Sequence, residues 1–122
     1  DLNTAGITLT CAGVTLVDNN VDHPIELEVS STATLQVNGA IQCTRSSGNN
    51  RNKNLRVHVR TNGRINTTGN FTFTYNRAGG ETGTEIQLDN SGRLDVGGNL
   101  TCTVGFNGGG NSQFTLQLNS TP

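Results

Sequence analysis

SGRLDVGGNLTCT, residues 91–103, recurs twice upstream in degraded form, as STATLQVNGAIQCT at 31–44 and TNGRINTTGNFTFT at 61–74. With Leu35, Ile65 and Leu94 as anchors, the copies lie 30 and 29 residues apart, and the next apolar anchor (Ile41, Phe71, Leu100) follows six residues later in each. A period near thirty marks a repeat too small to bury its own apolar face, which must stack on its neighbours.

The contents of the repeat decide the kind of stack. Each copy holds three short alternating runs: IELEV, ATLQV and AIQCT; then LRVHV, GRINT and NFTFTY; then EIQLD, GRLDV and NLTCTV. Alternation over about five residues is a strand signal, and the Gly, Asn and Ser clusters between runs are turn signals. No window carries a helical period. The chain is therefore expected to be all-β: a parallel β-solenoid of about four coils, each of ~30 residues with three short strands, roughly triangular in section and open at both ends. Residues 1–122 form one domain, with coils starting near residues 25, 55, 84 and 114.

Composition agrees with a thin core. Hydrophobic residues make up 31%, with no Trp, no Met and one Tyr, which is poor filling for a sandwich or barrel but enough for a narrow column. Eight basic and nine acidic residues leave a formal charge of −1, so no electrostatic case exists for nucleic acid. No apolar run approaches the ~20 residues of a spanning helix, and no membrane insertion is expected. The chain opens at Asp1 without an initiator Met, which suggests a processed, extracellular product, although a fragment would open the same way.

Residues 1–12, DLNTAGITLTCA, resemble the second half of a repeat, with Leu2 expected in the column of Leu94 and LTCA aligned with LTCT around Cys102. The spacing leaves that register ambiguous by two. Residues 13–24 then read as an insertion, a short outside hairpin or bulged corner. At the other end FTLQL, from Phe114, reads as the first strand of a fourth coil. On this alignment Leu118 of one copy and Leu2 of the next would be six residues apart across Pro122 and Asp1, the spacing of Leu88 to Leu94.

Each copy is thus expected to complete the next copy's broken coil, a heterologous contact that does not close and so makes a filament. The interface residues are Asp1, Leu2 and Thr4 at one end and Phe114, Leu116, Leu118 and Pro122 at the other, and the partner is the chain itself. The same continuity made covalently, in a longer tandem chain, remains open.

Stacking equivalent residues about 4.8 Å apart allows columns to be read. The outward column Glu26, Arg56, Glu85, Thr115, with Glu28, His58 and Gln87 beside it, alternates in charge as ladder pairing requires. No catalytic residue, cofactor or metal is expected; there is no CxxC and no nearby His pair. Thr44, Thr72, Thr74, Thr101 and Thr103 form outward columns interrupted by Gln42, with Thr8 and Thr10, or Thr10 and Ala12, expected to complete them. They resemble the flat threonine faces of β-solenoid ice-binding proteins, and the resemblance implies an alternative function in ordering water against ice.

Cys43 and Cys102 share an inward column with Phe73 between them, about 9.6 Å apart and too far for a bridge. Cys11 is the shared disulfide candidate, to Cys43 within the chain or to Cys102 of a neighbouring copy; three buried thiols acting as small apolar groups are the other reading. Sequons stand at Asn66, Asn70, Asn99 and Asn119, about the number that 17 Asn among many Ser and Thr would give by chance. The long corners, residues 45–54, 76–83 and 105–111, fall on one edge and would suit an adhesin's glycan or surface ligand.

At GRLDVGGNLTCT and ATLQVNGAIQCT the chain resembles the secreted β-solenoid repeats of filamentous-haemagglutinin-like adhesins. The resemblance covers roughly residues 25–118 and implies an extracellular, rod-like, structural or adhesive role without an active site. Polysaccharide lyases are similar in fold alone, since their groove of clustered Asp, Lys and Arg has no counterpart here.

Overall fold

The computed structural model describes residues 1–18, 25–45, 55–77, 84–89, 91–106 and 114–118. The described residues form twelve strands: β1 (Thr8–Cys11), β2 (Val14–Asp18), β3 (Ile25–Val29), β4 (Thr34–Val37), β5 (Ile41–Arg45), β6 (Leu55–Val59), β7 (Arg64–Thr67), β8 (Phe71–Arg77), β9 (Thr84–Leu88), β10 (Arg93–Val96), β11 (Leu100–Phe106) and β12 (Phe114–Leu118). They make three four-stranded sheets: β3-β6-β9-β12, β1-β4-β7-β10 and β2-β5-β8-β11. Every pairing between them is parallel. The protein is a parallel β-solenoid.

Alternation sends every second side chain into the shaft. Val29, Leu35, Val37, Ile41, Cys43, Leu55, Val57, Val59, Ile65, Phe71, Phe73 and Ile86 are buried together, and Phe71 and Phe73 are the largest of them. A buried hydroxyl in this wall, that of Thr67, sits in the column of Val37 and Val96 and donates to the carbonyl of Gly39 at 2.6 Å. It is tolerated because its donor is satisfied.

Among the described residues, the corner between the first and second sheets is a tight turn that recurs after β3, β6 and β9. Ser31 and Thr32, and Thr61 and Asn62, all have φ between 53 and 61°. The turns close through Ala33 N–H to Ser30 O (3.0 Å), Gly63 N–H to Arg60 O (2.9 Å) and Gly92 N–H to Asp89 O (2.8 Å). Two successive positive φ values with this closure describe a type I′ turn. A Cβ on Gly63 or Gly92 would collide with the carbonyl of Val29 or Val59 in the coil before, so glycine here lets the corners stack.

The first turn of the chain departs from the sequence expectation. Leu2 does not occupy the column of Leu94. It bridges Val29, its N–H donating to Glu28 O at 2.8 Å and its carbonyl accepting from Ser30 N–H at 2.9 Å. The residue in Leu94's column is Leu9, through Leu35 and Ile65. Leu2 therefore belongs to the first-sheet column of Val29, Val59, Leu88 and Leu118. The six-residue phase across Pro122 and Asp1 does not hold, because Leu2 and Leu118 claim the same column instead of adjoining ones; Pro122 lies outside the described residues.

Nor do residues 14–18 belong to an insertion: Val14–Asp18 is an ordinary third-sheet strand pairing Val14 with Ile41 and Leu16 with Cys43. Residues 19–24 lie outside the described part. The misreading arose because Leu9 to Val14 is five residues where Leu35 to Ile41 is six, so the first corner is one residue shorter.

Burial is uneven along the axis. Phe73 is 1% exposed in the middle of its column, whereas Cys102, one coil further, is exposed. Phe73→Ala should therefore cost about 3–5 kcal/mol in urea unfolding of the single molecule. Cys102→Ala should stay within about 0.5 kcal/mol.

Candidate functional site

Among the described residues, the apolar shaft is open to solvent at each end of the stack. At the lower end Leu9, 52% exposed, begins the column of Leu35, Ile65 and Leu94, and Cys11, Val14 and Leu16 beside it are half-buried. Ile7, 45% exposed, lies before β1, and its carbonyl accepts from Thr34 N–H. At the upper end Leu94 and Val96 are half-buried, Leu100 is 45% exposed and Cys102 is exposed. Among the described residues β1 and β2 carry no strand on their lower edges, and β10 and β11 carry none on their upper edges. Neither pair carries the lysines or prolines that commonly blunt an edge. Arg93 and Asp95 on β10 neutralise one another at 2.7 Å.

The sheets are also offset. The second and third sheets begin with β1 and β2 in the lowest coil, whereas the first begins one coil higher with β3 and ends one coil higher with β12. Of the expected interface residues, Phe114, Leu116 and Leu118 lie on β12 and align with Thr84, Ile86 and Leu88, while Leu2 sits at the far end of the same sheet. Asp1 and Thr4 are exposed beside Leu2.

The outer face of the first sheet holds a charged ladder. Glu26 aligns with Arg56 and Arg56 with Glu85; Glu28 aligns with His58 and His58 with Gln87. His58 Nδ1 lies 3.3 Å from Glu26 Oε1 and 3.9 Å from Glu28 Oε2, and its Nε2 lies 3.1 Å from Asp89 Oδ2. Arg60 donates to both oxygens of Glu28 at 3.0 and 2.9 Å, and Gln87 donates to Asp89 at 3.0 Å. Ligand atoms of Glu26, Glu28 and His58 lie within 4.8 Å of one another, so these three could hold a cation. Glu28 is already engaged by Arg60, and as the side chains stand they form a cross-coil ion-pair network.

On the third sheet, register replaces the residues expected to complete the threonine face. Thr8 and Thr10 belong to the outer side of the second sheet, opposite Thr34 and Gln36, and Ala12 is in no strand. Thr15 and Val17 complete the columns instead: Thr15, Gln42, Thr72, Thr101 and Val17, Thr44, Thr74, Thr103. Neighbours are about 4.8 Å apart along the axis and ~6.6 Å along a strand. Val17 is 45% exposed, so its methyls stand on this surface.

Cys11, Cys43 and Cys102 are free thiols. Cys11 aligns with Val37 in the second sheet, whereas Cys43 and Cys102 follow Leu16 in the third, so Cys11 does not join the cysteine column. Burial pushes the Cys43 thiol up to about 12 and raises that of Cys102 as well.

Of the sequon residues, Asn66 donates to Gln36 at 3.4 Å, and Asn70 Oδ1 accepts from Asn99 N–H at 2.9 Å as a corner link between coils. Asn119 lies outside the described residues, as do the corner residues 46–54, 78–83 and 107–111. Among the described residues no helix is long and apolar enough to cross a membrane. The chain matches no family model, no curated protein and no solved structure.

Sequence reasoning missed the pairing of Leu2 and the strand nature of β2. The signal for β2 was present: Leu9, Cys11, Val14 and Leu16 repeat the inward pattern of Leu35, Val37, Ile41 and Cys43 with one corner residue removed. Two outcomes follow from the site geometry. His58→Leu, which strands carboxylates on both sides of the ring, should lower unfolding stability by about 1–3 kcal/mol, with His58→Gln losing less. Alkylation of the single molecule at pH 8 should modify Cys102 well before Cys43, which reacts on unfolding.

Proposed function

We propose that the protein is a non-enzymatic structural subunit of an extracellular filament, in which copies stack head to tail and continue one another's coils. The observation that carries this reading is the apolar shaft that leaves both ends of the stack through Leu9 and Leu100. Burying such side chains against a second copy gains roughly 25 cal/mol for each Å² withdrawn from water. Parallel edges of β10 and β11 facing those of β1 and β2 add backbone hydrogen bonds in a fixed register. Placed so, Leu94 is followed by the next copy's Leu9, Leu100 by Val14 and Cys102 by Leu16. Apolar positions meet apolar positions in every column, and no inter-copy bond between Cys11 and Cys102 is expected, since they belong to different sheets.

The extracellular setting rests on the resemblance to secreted surface-fibre repeats. A second reading keeps the threonine face: six threonines and Val17 in a regular two-column array form a surface suited to ordered water, and thermal hysteresis of single molecules, lost in Thr74→Tyr, would favour it.

A heterologous contact makes a specific demand on mutants. Leu9→Asp spoils the lower end and Leu100→Asp the upper, so neither variant should polymerise alone. Mixed, the intact upper end of the first and the intact lower end of the second should give a heterodimer and nothing longer in analytical ultracentrifugation. Undiminished polymers from either variant alone would contradict the reading.

A further inference from the structure

Head-to-tail stacking leaves one place claimed twice. When β10 and β11 of one copy receive β1 and β2 of the next, β12 of the first copy comes level with those two strands and lies beneath β3. The register then aligns Thr115 with Glu26, Gln117 with Glu28 and Leu118 with Val29, as it aligns Leu88 with Val59 inside the molecule. Val29 is the residue that Leu2 already bridges.

We propose that the segment around Leu2 is a cap on the β3 edge, displaced by β12 of a second copy during assembly; this rests on the end-to-end reading above. The cap is slight. It pairs with β3 through two backbone hydrogen bonds, at 2.8 and 2.9 Å, both made by Leu2. Beyond Leu2 the segment turns away: Ile7 N–H donates to Thr4 O at 3.3 Å, and Gly6 N–H donates to the Thr32 hydroxyl at 3.0 Å. Among the described residues nothing pairs with β3 from Ile25 to Leu27 on that edge. β12 offers five residues in the same register, against one. Its polar positions, Thr115 and Gln117, bring no carboxylate to Glu26 and Glu28, whose charges face His58 and Arg60 above. The occupant that fits is therefore the strand of a second copy, and the exchange is favourable once the neighbouring edges have met. Before that, Leu2 keeps the edge from recruiting other strands.

The test uses the 122-residue chain and the critical concentration for assembly, read by sedimentation. Removing residues 1–3 frees β3, and losing two backbone hydrogen bonds from the unassembled state should lower the critical concentration on the order of tenfold. A complementary variant, Leu2→Cys with Val29→Cys in a Cys11→Ser, Cys102→Ala background, should fail to elongate when oxidised and recover on reduction. In assembled material carrying Thr115→Cys and Glu26→Cys, oxidation should join peptides of different copies. Filaments whose critical concentration ignores both the truncation and the lock, or that lack the Thr115 to Glu26 link, would overturn the cap and leave end-to-end stacking standing. If neither the parent nor any variant assembles, both fall together.

Discussion

Parallel backbone hydrogen bonds running along the solenoid axis hold each residue over its equivalent one coil away, and every other feature answers to that registry. Side chains are thereby sorted into columns at the strand spacing of about 4.8 Å. A column that lines the shaft is apolar apart from the hydrogen-bonded Thr67, and a column that faces water is most stable where neighbouring charges alternate, although exposed Arg64 stands over exposed Arg93. The inward sequence Leu35, Ile65, Leu94 shows the first pattern, and Glu26 over Arg56 over Glu85 shows the second. Registry also reaches the corners, where Gly63 and Gly92 keep a side chain out of the carbonyl of the coil before.

The same constraint explains the uneven burial. A coil in the middle of the stack is covered on both sides, and its Phe73 is sealed; a terminal coil is covered on one side, and its Leu9 or Leu100 is half open to solvent. Thr67 in the middle of the stack is satisfied across coils by Gly39, and at an exposed corner the Asn99 N–H is satisfied across coils by Asn70. His58 extends this to charge, tying Glu26 and Glu28 of one coil to Asp89 of another through a single ring. Among the described residues, the two ends and the threonine array are the surface features on which functional readings can be built.

Much of this was legible because registry writes itself into the sequence. The spacing of Leu35, Ile65 and Leu94 revealed the period, and the alternation around them revealed three strands per coil. What escaped were places where the chain changes its count. One residue fewer between Leu9 and Val14, and one more between Leu2 and Leu9 than between Val29 and Leu35, shift the first coil against the template. Local pattern alone then aligned LTCA with LTCT, because both alternate equally well. Pairing decided otherwise: Leu9 packs over Leu35 and leaves Val14 to sit beneath Ile41. The partners of His58 were half legible, since Glu26 and Glu28 share its ladder, but Asp89 stands at a corner that no strand pattern marks.

Continuity of the coil from one copy into the next is the central claim, and electron diffraction of assembled native material tests it most directly. Four strands per sheet in each copy predict an axial rise of about 19 Å together with a strong meridional repeat near 4.8 Å. Finding both would mean that β-sheets run unbroken across the junction. Particles one molecule long, or filaments with an axial rise unrelated to four strand spacings, would contradict it.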